Sequence, residues 1–197
     1  MQRKLILVIV IAGVLSSCSP RDFLTRRLAA DLIASSNTFR SPQQFQFDIG
    51  VIANDEYTSQ PYVTMQHRGW ISGSKVACPP SFSPAPCWNV ALTPSGVDTL
   101  QTLVAPSGTE KQSFIIPAAR REMVSVTGMA KQGDLADVEF IWKWVPLNEV
   151  GATIYGSDLR YRSNARFRCY DDGWRLVDRV SPVVSLDQEL KNAEALR

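Results

Sequence analysis

Histidine is almost absent from this chain of 197 residues, in which His67 is the only one. A nucleophile activated by histidine would depend on that residue alone, and no Gly-x-Ser-x-Gly elbow is present. The four cysteines include no Cys-x-x-Cys pair, so their spacing does not fit a zinc site. A glycine-rich phosphate loop and a calcium-loop spacing are also missing. We therefore assign no catalytic residue, metal or cofactor, and we rank a hydrolase third among the functions considered.

The chain also lacks an apolar run long enough to span a membrane. Its clearest uncharged run covers residues 5–15, whereas a transmembrane helix takes roughly 20 residues. Arg3 and Lys4 precede this run, and two serines follow it. A basic segment, a short apolar segment and small residues, in that order, are typical of a secretory signal peptide. We predict that the signal peptide covers residues 1–17.

The segment Leu15-Ser16-Ser17-Cys18 resembles the lipobox of bacterial lipoproteins. The resemblance covers residues 1–18 and implies cleavage before Cys18, whose thiol takes a diacylglycerol with fatty chains such as palmitate. Two or three chains hold a protein almost permanently, because each buried methylene contributes about 0.8 kcal/mol. The resemblance implies a lipid anchor outside the cytoplasm, and Ser19 suits an outer membrane facing the periplasm if the source has one. A secretory signal with a chance cysteine is the alternative.

The charge balance gives no reason to expect a nucleic-acid partner. The chain has 21 Lys and Arg against 19 Asp and Glu, and loss of residues 1–17 removes two basic residues and no acid. Residues 55–103 resemble the winged-helix pattern, with Gly69 after a helix and Leu-Thr-x-x-Gly after the second strand. In that family a helix and a wing contact DNA. A neutral protein outside the cytoplasm lacks the electrostatic attraction for DNA, so we predict no nucleic-acid binding.

Three cysteines remain besides the predicted anchor. Cys78 and Cys87 flank a proline-rich segment between two predicted strands, and an oxidising compartment permits a disulfide there. We infer a Cys78–Cys87 disulfide and expect Cys169 to be a buried thiol. Phe82, inside the closed loop, would point outward, which makes it a possible interface residue. The alternative is a plain strand connection that its prolines stiffen for stability.

The apolar pattern predicts an α+β fold with an N-terminal helix packed on a mainly antiparallel β-sheet. The helix is expected from Pro20 to about Phe39, and Pro117 is expected at a sheet edge or a bulge. Strands are predicted at 45–51, from 70, and at 88–92, 114–118, 122–129, 138–145, 165–170 and 174–177; short helices are predicted at 61–68, 97–103 and 186–196. Residues 113–178 look like the cystatin-like or nuclear-transport-factor-like folds, a likeness that implies architecture and not function.

We predict one lipid-anchored domain over residues 18–179 and a polar tail over 180–197. Five tryptophans and eight phenylalanines favour a folded body. Trp142 and Trp144 share one face of a predicted central strand, where they form either a possible interface or part of the core.

The leading hypothesis is a non-enzymatic cell-envelope protein that binds another envelope protein or supports an assembly. The alternative is a binding module for a small apolar ligand, held between the first helix and the sheet. A deep apolar pocket would favour the ligand, and a flat exposed aromatic patch would favour the protein partner.

Overall fold

The computed structural model describes residues 23–80, 86–100, 112–177 and 185–196. The helices are α1 (Arg26–Ser35), α2 (Asn37–Arg40), α3 (Asn54–Tyr57), α4 (Gln60–His67), α5 (Pro94–Leu100), α6 (Glu149–Tyr155) and α7 (Leu186–Lys191). The strands are β1 (Gln43–Ala53), β2 (Ile71–Val76), β3 (Cys87–Leu92), β4 (Gln112–Gln132), β5 (Leu135–Pro146), β6 (Arg160–Tyr170), β7 (Gly173–Leu176) and β8 (Glu194–Leu196). The strand pairs are antiparallel, so the predicted α+β class is confirmed.

The contacts divide the chain into two units. Unit 1 contains the described parts of residues 1–40, 123–143 and 159–197, and unit 2 contains those of 41–122 and 144–158. Strands β4 and β5 contribute residues to both units. The predicted domain boundaries stay predictions.

The sheet of unit 2 has the strand order β2-β3-β1-β4. Strand β1 forms where apolar and polar residues alternate, which puts Phe45 and Phe47 inside and Gln46 outside, as predicted. The ring of Phe47 stacks on that of Phe114, with 4.9 Å between centroids. Strands β2 and β3 pair as predicted, and α4 ends at His67, two residues before Gly69, whose φ of 71° suits glycine. The core also contains Ile52, Met65, Trp70, Leu100, Ile116 and Val150.

A β-bulge interrupts the pairing of β1 with β4. Gln44 pairs with Pro117 and Gln43 pairs with Ala119, so Ala118 is the extra residue. Proline cannot donate a ladder hydrogen bond, and a bulge accommodates it inside a sheet. Of the two predicted settings for Pro117, a sheet edge or a bulge, the structure has the bulge.

The sheet of unit 1 has the order β4-β5-β6-β7, and β8 pairs with β6. Val138, Phe140, Trp142 and Phe167 are fully buried, and Phe39 meets Phe140 edge to face with 6.3 Å between ring centroids. The turn Asp171-Asp172 joins β6 to β7, and Gly173 has a φ of 127°. The hairpin predicted at this turn is confirmed.

The predicted N-terminal helix differs from the observed one at both ends. Residues 23–25 are not helical, because extended Thr25 caps α1 by accepting a hydrogen bond from the Leu28 N–H at 3.1 Å. Ser36 is also extended and separates α1 from α2. The start predicted at Pro20 and the unbroken course to Phe39 are therefore wrong. Ala29 and Ile33 are the buried residues of α1.

Other predicted elements also differ from the structure. The two strands predicted within 114–129 are one strand, β4, and α5 begins at Pro94 instead of residue 97. The C-terminal helix ends at Lys191, after which β8 pairs with β6. Cys169 is free and partly exposed, so the expected burial of its thiol is wrong. Among the described helices, none is long and apolar enough to cross a membrane.

Candidate functional site

The disulfide predicted between Cys78 and Cys87 is present, with 5.0 Å between the two Cα atoms. Cys87 is fully buried at the start of β3, where it pairs with Val76 of β2. The bond therefore closes the connection between two paired strands. Phe82 lies outside the described residues, as does Cys18, so their predicted functions stay predictions.

The two tryptophans singled out in β5 have different surroundings. Trp142 is 1% exposed, and its Nε1 donates a hydrogen bond to Ser163 Oγ at 3.0 Å. This geometry fits the interpretation of Trp142 as part of the core, the alternative to an interface residue. Trp144 is half-buried, with Arg121 Cζ 4.8 Å from its ring centroid and the Tyr155 ring 5.3 Å away.

An open groove of about 520 Å³ lies between α4 and α6 in unit 2. Its lining combines polar and apolar surface and consists of Gln60, Val63, Thr64, His67, Arg68 and Thr153. This groove therefore differs from the apolar cavity expected beside the first helix. Within the part of the chain that the structure describes, no three His, Cys, Asp or Glu side chains are grouped to hold a metal.

The backbone of α6 packs closely on the β-bulge of unit 2. The Leu147 N–H donates to the Ala118 carbonyl at 2.9 Å, and the Asn148 amide donates to the Pro117 carbonyl at 2.9 Å. Asn148 also caps α6, because its Oδ1 accepts a hydrogen bond from the Gly151 N–H at 2.9 Å. A Cβ on Gly151 would lie 1.7 Å from the Ala118 oxygen, so this position requires glycine.

A buried tyrosine joins β1 to α3 and α4. The Tyr62 hydroxyl accepts a hydrogen bond from the Asp48 N–H at 2.8 Å and lies 2.9 Å from the Asp48 carbonyl. It also lies 3.0 Å from Glu56 Oε1. Burial, together with the nearby carboxylate of Glu56, raises the pKa of Tyr62 well above its ordinary value. The neutral phenol thus forms part of the packing of unit 2.

The most distinctive surface feature lies in unit 1 and is called here the Tyr170 cluster. It consists of Asp134, Arg168, Tyr170, Asp172 and Arg175. Tyr170 is 44% exposed, and the guanidinium carbons of Arg168 and Arg175 lie 5.7 and 5.1 Å from its ring centroid. Two cations therefore flank one exposed aromatic ring.

The strand register explains why these side chains meet. Arg168 pairs with Arg175 across β6 and β7, and Tyr170 pairs with Gly173 beside the turn. Side chains two residues apart on a strand share a face, so Arg168 and Tyr170 lie side by side. The Cys169 N–H donates to the Asp134 carbonyl at 2.7 Å, which brings the β4–β5 turn to the same place.

Carboxylates hold both arginines of the cluster. Arg168 Nε lies 3.0 Å from Asp134 Oδ2, and Arg175 forms a hydrogen-bonded ion pair with Asp172. The hydrogen bond that Arg175 donates to Asp172, and the negative charge of Asp172, raise the pKa of Arg175. Both arginines of the cluster therefore have a carboxylate partner within it.

A ladder of ion pairs continues along the exposed face of β5 and β6. Arg166 contacts both carboxylate oxygens of Asp137, at 2.6 and 3.1 Å. Arg162 Nε lies 3.7 Å from Glu139 Oε1, which also accepts a hydrogen bond from Thr127 Oγ1 at 2.7 Å. Such exposed pairs contribute little stability.

Sequence reasoning missed the Tyr170 cluster, although its signal is present. Arg168 and Tyr170 lie two residues apart just before the turn Asp171-Asp172. Arg175 follows this turn by as many residues as Arg168 precedes it. Asp134 could not be placed there, because its position depends on pairing between β5 and β6. No family model, curated protein or solved structure matches this chain. Any function therefore rests on the residues of the chain and their geometry.

Proposed function

We propose that this chain is a cell-envelope lipoprotein, anchored through Cys18, that binds another envelope protein through the Tyr170 cluster. The observation that carries the binding function is the exposed ring of Tyr170, whose centroid lies 5.7 and 5.1 Å from the guanidinium carbons of Arg168 and Arg175. The lipobox-like segment at residues 15–18 supports the anchor.

The disulfide supports a compartment outside the cytoplasm. Disulfides persist where the surroundings are oxidising and are rare where thiols are kept reduced. The Cys78–Cys87 bond fits the first kind of compartment, which is also where the predicted signal peptide would deliver the chain.

The composition of the Tyr170 cluster supports a protein partner. Tyrosine and arginine are enriched among residues that dominate binding energy at protein interfaces, and cations on aromatic faces recur there. Leu135 is 38% exposed and pairs with Arg168 across the sheet, which adds apolar surface beside the ring. The surface thus combines an aromatic centre with a charged rim.

The order of the cluster lowers the cost of binding. Immobilising a flexible side chain at an interface costs about 0.5–1.5 kcal/mol. Arg168 and Arg175 already have carboxylate partners, so a protein that docks on Tyr170 finds both side chains in position. A partner with acceptor groups and an apolar contact would fit this surface.

The anchor is tested with the Cys18→Ser variant. We expect this variant to lose labelling by radioactive fatty acid and to leave the membrane fraction. A Cys169→Ser variant serves as the control, because it removes a thiol that is not predicted to carry lipid. Retention of Cys18→Ser on membranes washed with high salt would contradict the proposed anchor.

The binding surface is tested with a photo-crosslinking amino acid at Leu135 in intact cells, which leaves the Tyr170 cluster unchanged. We expect one discrete crosslinked product, identified by mass spectrometry, that disappears when Tyr170→Ala is added. The same amino acid at Ile115, which is 54% exposed in unit 2, is the control and should not give this product. A product at Leu135 that persists with Tyr170→Ala would refute the function of the cluster.

A further inference from the structure

The beginning of unit 1 combines exposed apolar and basic side chains. Phe23 is 57% exposed, Leu28 is 36% exposed, and Arg26 and Arg27 are both exposed. We call these four residues the anchor-proximal patch. Neither arginine forms an ion pair with a described residue.

We propose that the anchor-proximal patch binds the anionic head groups of the membrane in which Cys18 is anchored. This inference rests on the proposed lipid anchor and adds a second membrane contact made by the folded unit itself. In this proposal the anchor-proximal patch contacts lipid, whereas the Tyr170 cluster binds a protein partner.

Chain length brings the patch to the membrane. Phe23 follows Cys18 by five residues, which span at most about 18 Å even when fully extended. Leu24 is 6% exposed and fixes the chain to unit 1 directly after Phe23. A lipid on Cys18 therefore keeps the first turn of α1 within a short distance of the head groups.

The charges at the start of α1 have the opposite sign to the one that favours a helix. The N-terminus of a helix carries a partial positive charge, which favours acidic residues in the first turn. The first turn of α1 has no acidic residue and instead begins with Arg26 and Arg27. Two cations at this end weaken the helix, so their placement points to a function outside its own stability.

The chemistry of the patch matches a lipid–water interface. Aromatic and large apolar side chains enter the boundary between head groups and acyl chains, and arginines bind the phosphates above it. Lys131 adds a third cation, because its Nζ lies 5.9 Å from the Phe23 ring centroid and 5.0 Å from that of Trp174. An anionic leaflet attracts each such residue within a Debye length of its surface.

The test uses the acylated full chain reconstituted in vesicles. One set is made of phosphatidylcholine alone, and the other contains phosphatidylglycerol in addition. Hydrogen exchange is then measured for the amides of residues 24–35 in both sets. We expect exchange in the first turn of α1 to be at least about fivefold slower on the anionic vesicles, the factor that one arginine near such a surface contributes.

The Arg26→Gln/Arg27→Gln variant should lose this difference without losing thermal stability, because it removes two cations from the positive end of α1. The matched control, Arg40→Gln/Arg160→Gln, removes the same charge from exposed positions elsewhere in unit 1 and should keep the difference. High salt should abolish it in the unchanged protein.

Equal exchange on both vesicle types in the unchanged protein would overturn the inference, as would equal loss in the control variant. Two other measurements, the mass of the protein and its flotation with vesicles, show whether the proposed anchor itself fails. A chain without lipid on Cys18 would neither carry the added mass nor float with vesicles, whereas an anchored chain without the head-group contact would float and show no difference in exchange.

Discussion

In unit 2 a disulfide, a β-bulge and closely approached glycines fix the backbone, whereas in unit 1 the exposed sheet face carries a ladder of ion pairs. The close contacts of the glycines in unit 2 leave no room for an added methyl group, so its stability should be sensitive to small changes of side chain. The ion pairs of unit 1 contribute little stability because water surrounds them. The comparison indicates that the stability of unit 1 depends little on these charged side chains.

The contact of Gly151 with the bulge should be the most sensitive point of unit 2. In Gly151→Ala the new methyl would lie 1.7 Å from the Ala118 oxygen, so α6 must move away from β4. We expect a loss of more than about 3 kcal/mol in the free energy of unfolding, measured with urea. Gly128→Ala in unit 1 is the control, because its Cβ would lie 3.4 Å from that of Glu139. Similar losses in both variants would remove the difference between the units.

The disulfide should give the next largest effect. Closing a loop between residues nine positions apart contributes about 2.5 kcal/mol in the chain-entropy model. Cys78→Ser/Cys87→Ala should lower the free energy of unfolding by about that amount, and dithiothreitol should destabilise the unchanged protein similarly. Cys169→Ser is the control and should be nearly neutral, because this thiol is free and partly exposed. No effect of reduction would show that the bond is dispensable for unit 2.

The buried hydroxyl of Tyr62 should contribute less. Tyr62→Phe leaves the Asp48 N–H and carbonyl without their partner, and such a loss costs about 1–2 kcal/mol. Urea unfolding at neutral pH measures the change. Tyr161→Phe is a control from unit 1, and an equal loss there would contradict the specific function of the Tyr62 hydroxyl.

The same residue predicts a pH dependence. Because burial raises the pKa of Tyr62 in the folded protein, the unfolded chain loses this proton first as the pH rises. The free energy of unfolding should therefore fall above pH about 10, where an ordinary tyrosine ionises. Below that pH the contribution of the phenol is fully present. Tyr62→Phe should show a smaller fall, and an unchanged alkaline profile would contradict this account.

The ion pairs of unit 1 should give the smallest effect. The hydrogen bond and the negative charge of Asp137 raise the pKa of Arg166, but water surrounds both side chains. Arg166→Gln is therefore expected to change urea unfolding less than any variant above, and high salt should reduce even that change. A loss as large as that of the disulfide variant would show that this face stabilises the fold.

Local patterns in the sequence predicted much of the sheet. Alternation of apolar residues located β1, the turn Asp171-Asp172 located the β6–β7 hairpin, and Pro117 indicated the bulge. Each signal depends on residues close together in the chain, which is why it could be interpreted without a structure.

Other features depend on distant partners and could not be predicted in this way. Strand β8 has only three residues and exists because it pairs with β6. The helix predicted from Pro20 begins later because extended Thr25 supplies the cap. The Tyr170 cluster needs Asp134, which only the pairing of β5 with β6 brings near.

The central claim is the lipid on Cys18, and mass spectrometry of the N-terminal peptide tests it most directly. The account predicts that protein extracted from membranes begins at residue 18 and carries a diacylglycerol on the Cys18 thiol. It also predicts that the Cys18→Ser variant carries no such mass. A membrane-extracted chain that still begins at Met1, or that begins at residue 18 with a bare thiol, would contradict the account.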